Sequence, residues 1–530
     1  MRKVGVSRRE AILELSALFG IPLIRWPAVL SEPLAGNIVE YQAGRVQRDW
    51  SAVEVTKAAL DRATAWNGAL HAIDMLSHTA LEEARESDMR ARRGQLRGPL
   101  DGVPVFAKSI YDMSGLPTTG SNAEWSRLFP DAVRDDSIEV ARMRAAGAIV
   151  LGKTAADDFA YHGNGTSSRT GQVRNPYDPT GVKTPGGSSA GSAVSVACGI
   201  AFAAVGTDDG GSNRIPAQFC GVVGMKPTFG VVPRTGVIPT WPYLDTHGPL
   251  ARHVADAALL LDAIGGADPS DGLATVTAWR RGALANLRDD ALRGARLGLV
   301  EFHVPRAQMT AESLSVFDRA VADLESAGAI VEPSVPTVTR ANVRALFADA
   351  AKARGDVAID HNSPAATANA LYRYFATHGG NPRADVERGL AAYRAFYDVL
   401  PRDWTEMAKL IVQPYERDPA SLSFARSRAE VVAQLAETFR AQRLDAMIYP
   451  TMPFPAPRVV DPWPDIRTTL GYGNWLGLPE VSVPTGLGAD GMPAGNISFV
   501  GLPGSDWRIL EVAHSYERQS GRFVAPPKPV

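Results

Sequence analysis

Residues 184–227 read TPGGSSAGSAVSVACGIAFAAVGTDDGGSNRIPAQFCGVVGMKP, in which two loops rich in glycine and serine flank a run of small apolar residues. The loops are residues 186–192 and 208–212, and the run at 200–205 is typical of a buried strand. Glycine lets a ligand approach the backbone, and successive amides turned inward form a concavity for negative charge. A hydroxyl beside such a concavity is what acyl transfer needs, although ordinary surface turns have the same composition.

The composition is that of a globular protein with a large core. The 530 residues are 45% hydrophobic and 21% charged, and the formal net charge is −2. This balance lacks the basic excess of a nucleic-acid binder. Cys198 and Cys220 have neither a C-x-x-C spacing nor a histidine at metal-ligand spacing, so we expect no disulfide and no metal site. No stretch has the roughly 18 uninterrupted apolar residues of a membrane span.

Residues 1–48 are predicted to form an N-terminal extension, because three prolines interrupt any long helix there. Residues 7–10 (SRRE) precede an apolar stretch and resemble a twin-arginine export signal. Glu14 and Arg25 interrupt that stretch, and no clear cleavage site follows. We predict a cytoplasmic protein. Periplasmic export through a cleaved leader in residues 1–35 is the alternative.

Short apolar runs alternate with helical patterns over residues 49–520, which we predict to be one domain. The predicted strands are residues 103–106, 148–151, 200–205, 297–300, 329–331, 446–449, 481–483 and 497–500. The predicted helices begin near residue 49 and at 79–93, 137–146, 254–264, 311–327, 420–443 and 506–518. This alternation indicates an α/β fold with helices on both faces of a sheet. Residues 335–440 are predicted to be a helical insertion on the substrate side, and residues 521–530 a tail.

Two motif matches fail on structural grounds. Residues 147–154 fit the phosphate-loop pattern, but the four residues between the glycines are apolar and strand-like, whereas a phosphate loop follows its strand and opens a helix. Residues 187–191 fit the G-x-S-x-G nucleophile elbow, which requires a strand directly before it. The preceding residues 175–185 hold three prolines and no strand pattern.

Lys108 ends an apolar, strand-like run. Burial at a sheet edge would lower the pKa of its ammonium and make it usable as a base. The alternative is a lysine whose stem covers apolar surface while its head reaches water.

The Lys108 run and the two glycine–serine loops resemble those of the amidase signature family. Members of that family are hydrolases and amidotransferases that use a Ser–Ser–Lys triad. The resemblance covers roughly residues 50–265 and 440–520. The matching blocks are GVPVFAK at 102–108, GKT at 152–154, DFA at 158–160, RNP at 174–176, PGGSSAGS at 185–192, GTDDGGSNRIP at 206–216, FCGVVGMKPT at 219–228 and GP at 248–249, and near the C-terminus residues 479–484, 491–493 and 510–517. The resemblance implies an amidase signature fold with a large mixed, mostly parallel central sheet.

The resemblance also implies roles for individual residues. Ser212 would be the nucleophile, Ser188 the bridging serine after a cis peptide bond, and Lys108 the base. Backbone N–H groups for the oxyanion would come from Asp209, Gly210 and Gly211. Residues implied to support the site are Ser189, Asp208 and Arg214. Such a relay needs no metal and no cofactor.

Position 209 departs from the family's pattern, which commonly has threonine there. Asp209 places a carboxylate on the loop that would bind an oxyanion, where negative charge would oppose the transition state. We therefore predict that this side chain points away from the substrate.

Aromatic side chains lie where the family lines its acyl pocket. The candidates for substrate contact are Tyr161, His162, Trp241 and Tyr243. They suggest an apolar or aryl amide, although aromatic rings serve protein cores just as readily.

The sequence therefore predicts an amidase acting on small amides, anilides, carbamates or esters through a serine acyl-enzyme. The first alternative is an amidotransferase A-type subunit that releases ammonia from glutamine or asparagine and needs partner chains. The second is a non-catalytic binding protein on the same scaffold. A homodimer is left open.

Overall fold

The computed structural model of the chain describes residues 32–178, 180–274, 282, 287–300, 306–336, 340–357, 364–394, 406, 409, 418–461 and 470–529. The predicted export signal and residues 1–31 of the predicted leader lie outside these residues. Across the described ranges, no helix combines the length and apolar character needed to cross a bilayer.

Thirteen strands occur in the described residues. They are β1 Ile73–Leu76, β2 Pro104–Lys108, β3 Ile149–Thr154, β4 Thr166–Ser167, β5 Gly171–Gln172, β6 Ala203–Asp208, β7 Val223–Lys226, β8 Thr246–Ala251, β9 Arg296–Leu299, β10 Ile330–Glu332, β11 Ala446–Pro450, β12 Glu480–Pro484 and β13 Asn496–Val500. Eleven of them form one sheet in the order β1-β3-β2-β6-β8-β7-β12-β13-β11-β9-β10, while β4 and β5 pair separately. The prediction of a large mixed sheet in an α/β fold is confirmed.

The direction of each strand decides which strand ends lie at the same edge of this sheet. Strands β3, β2 and β6 are mutually parallel, and so are β11, β9 and β10. The pairs from β6 across β8, β7, β12 and β13 to β11 are antiparallel. The carboxyl ends of β2 and β6 therefore meet the amino end of β8 at one edge.

The helices cover both faces of the sheet. In the described residues they are α1 Ile38–Gln47, α2 Ala52–Leu70, α3 Ala80–Arg92, α4 Ala123–Leu128, α5 Ile138–Ala145, α6 Ala190–Ala197, α7 Arg214–Phe219, α8 Val254–Ile264, α9 Ala311–Ser326, α10 Arg340–Arg354, α11 Pro364–Ala376, α12 Pro382–Arg394, α13 Pro419–Gln442, α14 Leu470–Leu476 and α15 Asp506–Ser520. Because both faces are covered, the central strands are buried along their whole length. That burial explains why they read as continuous apolar runs.

The described part of the N-terminal extension packs onto the main body. Ile38 and Tyr41 of α1 are completely buried. The Tyr41 hydroxyl donates to the carbonyl of Gly102 over 2.7 Å, just before β2. This helix is therefore part of the same core as the strand that carries Lys108.

Helices α10 to α13 supply the described structure between residues 340 and 442. They are tied to the main body at Asp112, four residues beyond the end of β2. Asp112 accepts the Tyr374 hydroxyl over 3.0 Å and lies 3.1 Å from Nε2 of His378. Asp112 thus links the helical segment to the loop that follows the Lys108 strand.

Candidate active site

Lys108 and the two serine loops converge at the edge where β2 and β6 end. The Lys108 side chain is completely buried, and its Nζ lies 2.7 Å from Oγ of Ser188 and 2.9 Å from Oγ1 of Thr207. Because β2 and β6 are parallel neighbours, the lysine at the end of one strand reaches the threonine near the end of the other. The structure therefore brings Lys108 and Ser188 into direct contact.

The loop before α6 sets Ser188 against the second loop. The Gly187–Ser188 peptide is cis, as the family resemblance implies. The N–H of Ser189 donates to the carbonyl of Ser212 over 3.2 Å. The Ser189 hydroxyl donates to Oδ1 of Asn213 over 3.1 Å. These bonds join the backbones of the Ser188 and Ser212 loops side by side.

A buried ion pair braces the Ser212 loop. Arg214 donates from Nη2 and Nε to the two carboxylate oxygens of Asp208 over 2.7 and 2.9 Å, and both side chains are inaccessible to solvent. Burial alone would raise the pKa of the Asp208 carboxyl, but the guanidinium holds it well below its ordinary value. Arg214 also contacts Glu480 and donates to Oδ1 of Asn474 over 2.7 Å. The expected Asp208–Arg214 pair is present.

The three amides predicted to face an oxyanion are used differently. The Gly211 N–H donates to Oδ1 of Asp208 over 2.8 Å. In the described part of the chain, the amides of Asp209 and Gly210 donate no hydrogen bond. In this structure the Gly211 N–H is occupied by Asp208, so the amides of Asp209 and Gly210 are the candidates that stay predicted for an oxyanion.

Burial makes the Lys108 amine easier to deprotonate than that of an ordinary lysine. It lowers the pKa of Lys108 to about 8, against the opposing influence of the carboxyl groups of Asp209, Asp157 and Asp245. An ordinary lysine has a pKa of about 10.4, so Lys108 has a far larger neutral fraction near neutral pH. A neutral amine can accept a proton from a serine hydroxyl.

The four aromatic residues predicted to contact substrate separate into two groups. The Tyr161 ring lies 5.1 Å from that of His162 and 5.8 Å from that of Trp241, and all three are at least partly exposed. Tyr243 is only 2% exposed and stacks on Phe424 of α13 at 5.2 Å. The Tyr243 ring is therefore packed against the helical segment, and its contact with substrate stays a prediction.

Several residues at the site were not singled out from the sequence. Thr207 contacts Lys108, and Asp157 accepts three backbone N–H groups from the loop that follows it. Asn474 and Glu480 hold Arg214 from more than 250 residues away along the chain. Thr207 and Glu480 had a signal, since each lies inside a matching block, but Asn474 had no local signal.

A cleft lies beside these loops, between residues 234–247 and α11. Asp245 and His247 line it from the main body, and Arg373 and Tyr374 line it from α11. The helical segment therefore borders the same sheet edge as Lys108. Neither Lys108 nor the two serines line this cleft.

Comparisons with known proteins agree in one family. A family model described as Amidase matches residues 54–510. The chain is 35% identical over 497 residues to the A subunit of glutamyl-tRNA(Gln) amidotransferase from Symbiobacterium thermophilum, covering 90% of this chain and 95% of that protein. It is also 35% identical over 521 residues to the protein of the same name from Anaeromyxobacter sp. (strain K), covering 92% and 97%. The structure of native peptide amidase from Stenotrophomonas maltophilia matches with a TM-score of 0.76 and 30% identity, covering 93% of this chain and 99% of that one.

Removal of Arg214 should destabilise the protein strongly. Arg214→Met leaves the buried carboxylates of Asp208 and Glu480 without their cation, and losing one partner of a buried pair costs about 3–5 kcal/mol. Chemical denaturation of the two proteins measures the difference in the free energy of unfolding. The control is Arg127→Met, whose 68% exposed side chain pairs with Glu124 on the surface and should give no measurable change. Equal midpoints for all three proteins would contradict the bracing role.

Proposed function

This chain belongs to the amidase family, and we propose that it hydrolyses the C–N bond of carboxylic amides through an acyl-enzyme on Ser212. The observation that carries this proposal is the 2.7 Å contact between the buried amine of Lys108 and the hydroxyl of Ser188. A buried amine with a lowered pKa is a base, and a serine hydroxyl is a poor nucleophile until a base takes its proton.

The first step is a proton relay that ends in a new bond. Neutral Lys108 takes the proton of the Ser188 hydroxyl while Ser188 takes that of Ser212. The Ser212 oxygen then attacks the amide carbonyl carbon, and the carbonyl π electrons move onto its oxygen. The N–H groups of Asp209 and Gly210 face that oxygen in this proposal, and such a donor is typically worth about 3–4 kcal/mol in the transition state.

The second step releases the amine and regenerates the enzyme. As the tetrahedral intermediate collapses, the C–N bond breaks and the leaving nitrogen receives the proton that Lys108 holds, through Ser188. Water then attacks the Ser212 ester, and its proton enters the same relay. Carboxylic acid leaves, and Ser212 regains its hydrogen. Every proton taken up is returned, so the cycle balances without a further reactant.

The similarity to peptide amidase supports peptide amides as first substrates, and the partly exposed aromatic rings at Tyr161 and Trp241 support small aryl amides beside them. The second candidate function is that of an amidotransferase A-type subunit, favoured by the names of the curated relatives. Such a subunit would release ammonia from glutamine and depend on partner chains.

An assay of amide turnover by the purified chain, without partner chains, distinguishes the two candidate functions. Turnover of peptide or aryl amides by the chain alone, with glutamine left intact, would support the stand-alone amidase. An amidotransferase subunit that depends on partner chains should leave every amide, glutamine included, intact when tested alone. Absence of turnover on every amide would contradict the stand-alone amidase.

Ser212→Ala should abolish turnover while leaving the protein folded. Loss of the nucleophile in a serine relay typically costs on the order of 10⁴-fold or more in kcat. A fluorophosphonate should label Ser212, and mass spectrometry of the labelled peptide identifies the site. Ser195→Ala is the matched control, because that buried hydroxyl donates to the Ser192 carbonyl inside α6 and should retain both activity and labelling. Labelling of another residue would refute the nucleophile assignment.

The rate should depend on pH through Lys108. Burial lowers the pKa of Lys108 to about 8, so kcat/KM should fall about tenfold per pH unit below that value, where the amine is protonated, and level off above it. Measured pH–rate profiles test this. Lys153→Met is the control, since burial also lowers the pKa of Lys153 to about 8 but its amine donates to Pro117 and Thr118. A shift of the acidic limb in that variant would point to the wrong lysine.

A further inference from the structure

Asp209 is a buried carboxyl in a loop proposed to bind an anion. The residue is 4% exposed, and neither carboxyl oxygen is accessible to solvent. Within the described ranges, no N–H or O–H group donates to either oxygen. A carboxylate left in this state would be strongly unfavourable, because burial of an unpaired charge costs far more than burial of the neutral acid.

The register of the sheet sets Asp209 beside a second carboxyl. Strand β6 pairs with β8 so that Asp208 lies opposite Thr246. Continuing this antiparallel register by one residue sets Asp209 opposite Asp245, and cross-strand neighbours have Cβ atoms about 4.5–5.5 Å apart. The two carboxyls are neighbours, and the Asp245 carboxyl helps to raise the pKa of Asp209.

Alternation along β6 places this pair on the side of Lys108. Thr207 points to Lys108, whose Nζ lies 2.9 Å from the threonine hydroxyl, whereas Asp208 points to Arg214. Successive side chains of a strand point to opposite faces, so Asp209 lies on the same face as Thr207. The ion pair that braces the loop is therefore on the other face and does not neutralise Asp209.

A hydrogen bond between two carboxyls requires a proton on one of them, since ionised carboxylates only accept. Oδ2 of Asp245 accepts the backbone N–H of Thr240 over 2.9 Å. Asp209 has no such donor among the described residues. Burial and the neighbouring Asp245 carboxylate raise the pKa of Asp209 well above its ordinary value, against the attraction of Lys108. The proton therefore belongs on Asp209.

Titratable and charged groups pack around the pair. They are Lys108 from β2, Tyr111 after it, Glu139 from α5, Asp157 after β3, Asp208 from β6, Arg234 and Asp271 from the neighbouring loops, His247 from β8 and Arg373 from α11. Arg234 is held by Asp271, and His247 by Glu139. Lys108 is the basic group that interacts with Asp209.

We propose that Asp209 and Asp245 share one proton, held by Asp209 as it donates to Asp245, so that Asp209 is a neutral positioning residue. The catalytic significance of this inference rests on the proposed function, but the infrared test of it does not. A neutral Asp209 leaves the loop amides free to stabilise an oxyanion without an opposing charge. With Asp209 neutral, Lys108 faces one carboxylate fewer and loses its proton more readily than it would beside an ionised Asp209.

Difference infrared spectroscopy tests the protonation state directly. The spectrum of the wild-type protein minus that of Asp209→Asn at neutral pH should contain the carbonyl stretch of a protonated carboxylic acid. Asp178→Asn is the control, since Asp178 accepts backbone N–H groups from Thr180 and Lys183 and should contribute only carboxylate bands. Absence of the acid band in the first difference spectrum would overturn the proposal.

The pH–rate profile provides a second readout. Asparagine is neutral and can donate to Asp245, so Asp209→Asn should keep the acidic limb of kcat/KM within about 0.3 pH unit of wild type. If Asp209 were ionised, its removal would lower the pKa of Lys108 and move that limb down by about one unit. Asp209→Thr, which also offers a neutral donor, replaces the asparagine variant in both measurements if the latter does not fold.

The infrared result is independent of catalysis. A chain without amidase activity that shows the acid band would refute the proposed function and leave the shared proton standing. An active enzyme without the band would refute the shared proton and leave the proposed function standing.

Discussion

The site depends on one constraint, the complete burial of the Lys108 amine at the end of a central strand. A charged lysine cannot remain in such a place without compensation, and the neutral hydroxyls of Ser188 and Thr207 that touch its Nζ provide only part of it. The remaining adjustment is loss of the proton, which burial favours. The same covering that makes the sheet stable therefore produces the base, because helices on both faces exclude the water that would keep the ammonium charged.

Neighbouring polar side chains of β6 point to opposite faces of the sheet and have different roles. Asp208 faces Arg214 and holds the Ser212 loop in shape, while Thr207 faces the lysine on the other side. This separation keeps a strong permanent ion pair out of direct contact with the base. An arginine on the Lys108 side would lower the pKa of the lysine further, and an unpaired carboxylate there would raise it. Alternation along a single strand thus protects the base from the charges that position the loop.

Much of this architecture is readable from the sequence, for a physical reason. Strands such as β2, β6 and β13 are covered on both faces and appear as continuous apolar runs, so their positions were predictable within a few residues. Strand β8 was not predicted, because its sequence THGPLA contains glycine, proline and histidine, and its place is fixed by antiparallel pairing with β6. The triad and the Asp208 brace came from a family resemblance. Asn474, Glu480 and the burial of Tyr243 depend on contacts between distant segments, which no local pattern encodes.

Selectivity has to arise outside the Lys–Ser–Ser arrangement, since the resemblance assigns that arrangement to hydrolases and amidotransferases alike. The helical segment is the part of the described chain best placed to supply it. Its helix α11 borders the cleft at Asp245 and His247, and Tyr374 and His378 fasten the segment to Asp112. Asp112 follows Lys108 by four residues, so these contacts hold the helical segment to the loop that continues directly from Lys108. The helices that border the cleft are therefore anchored next to the proposed base.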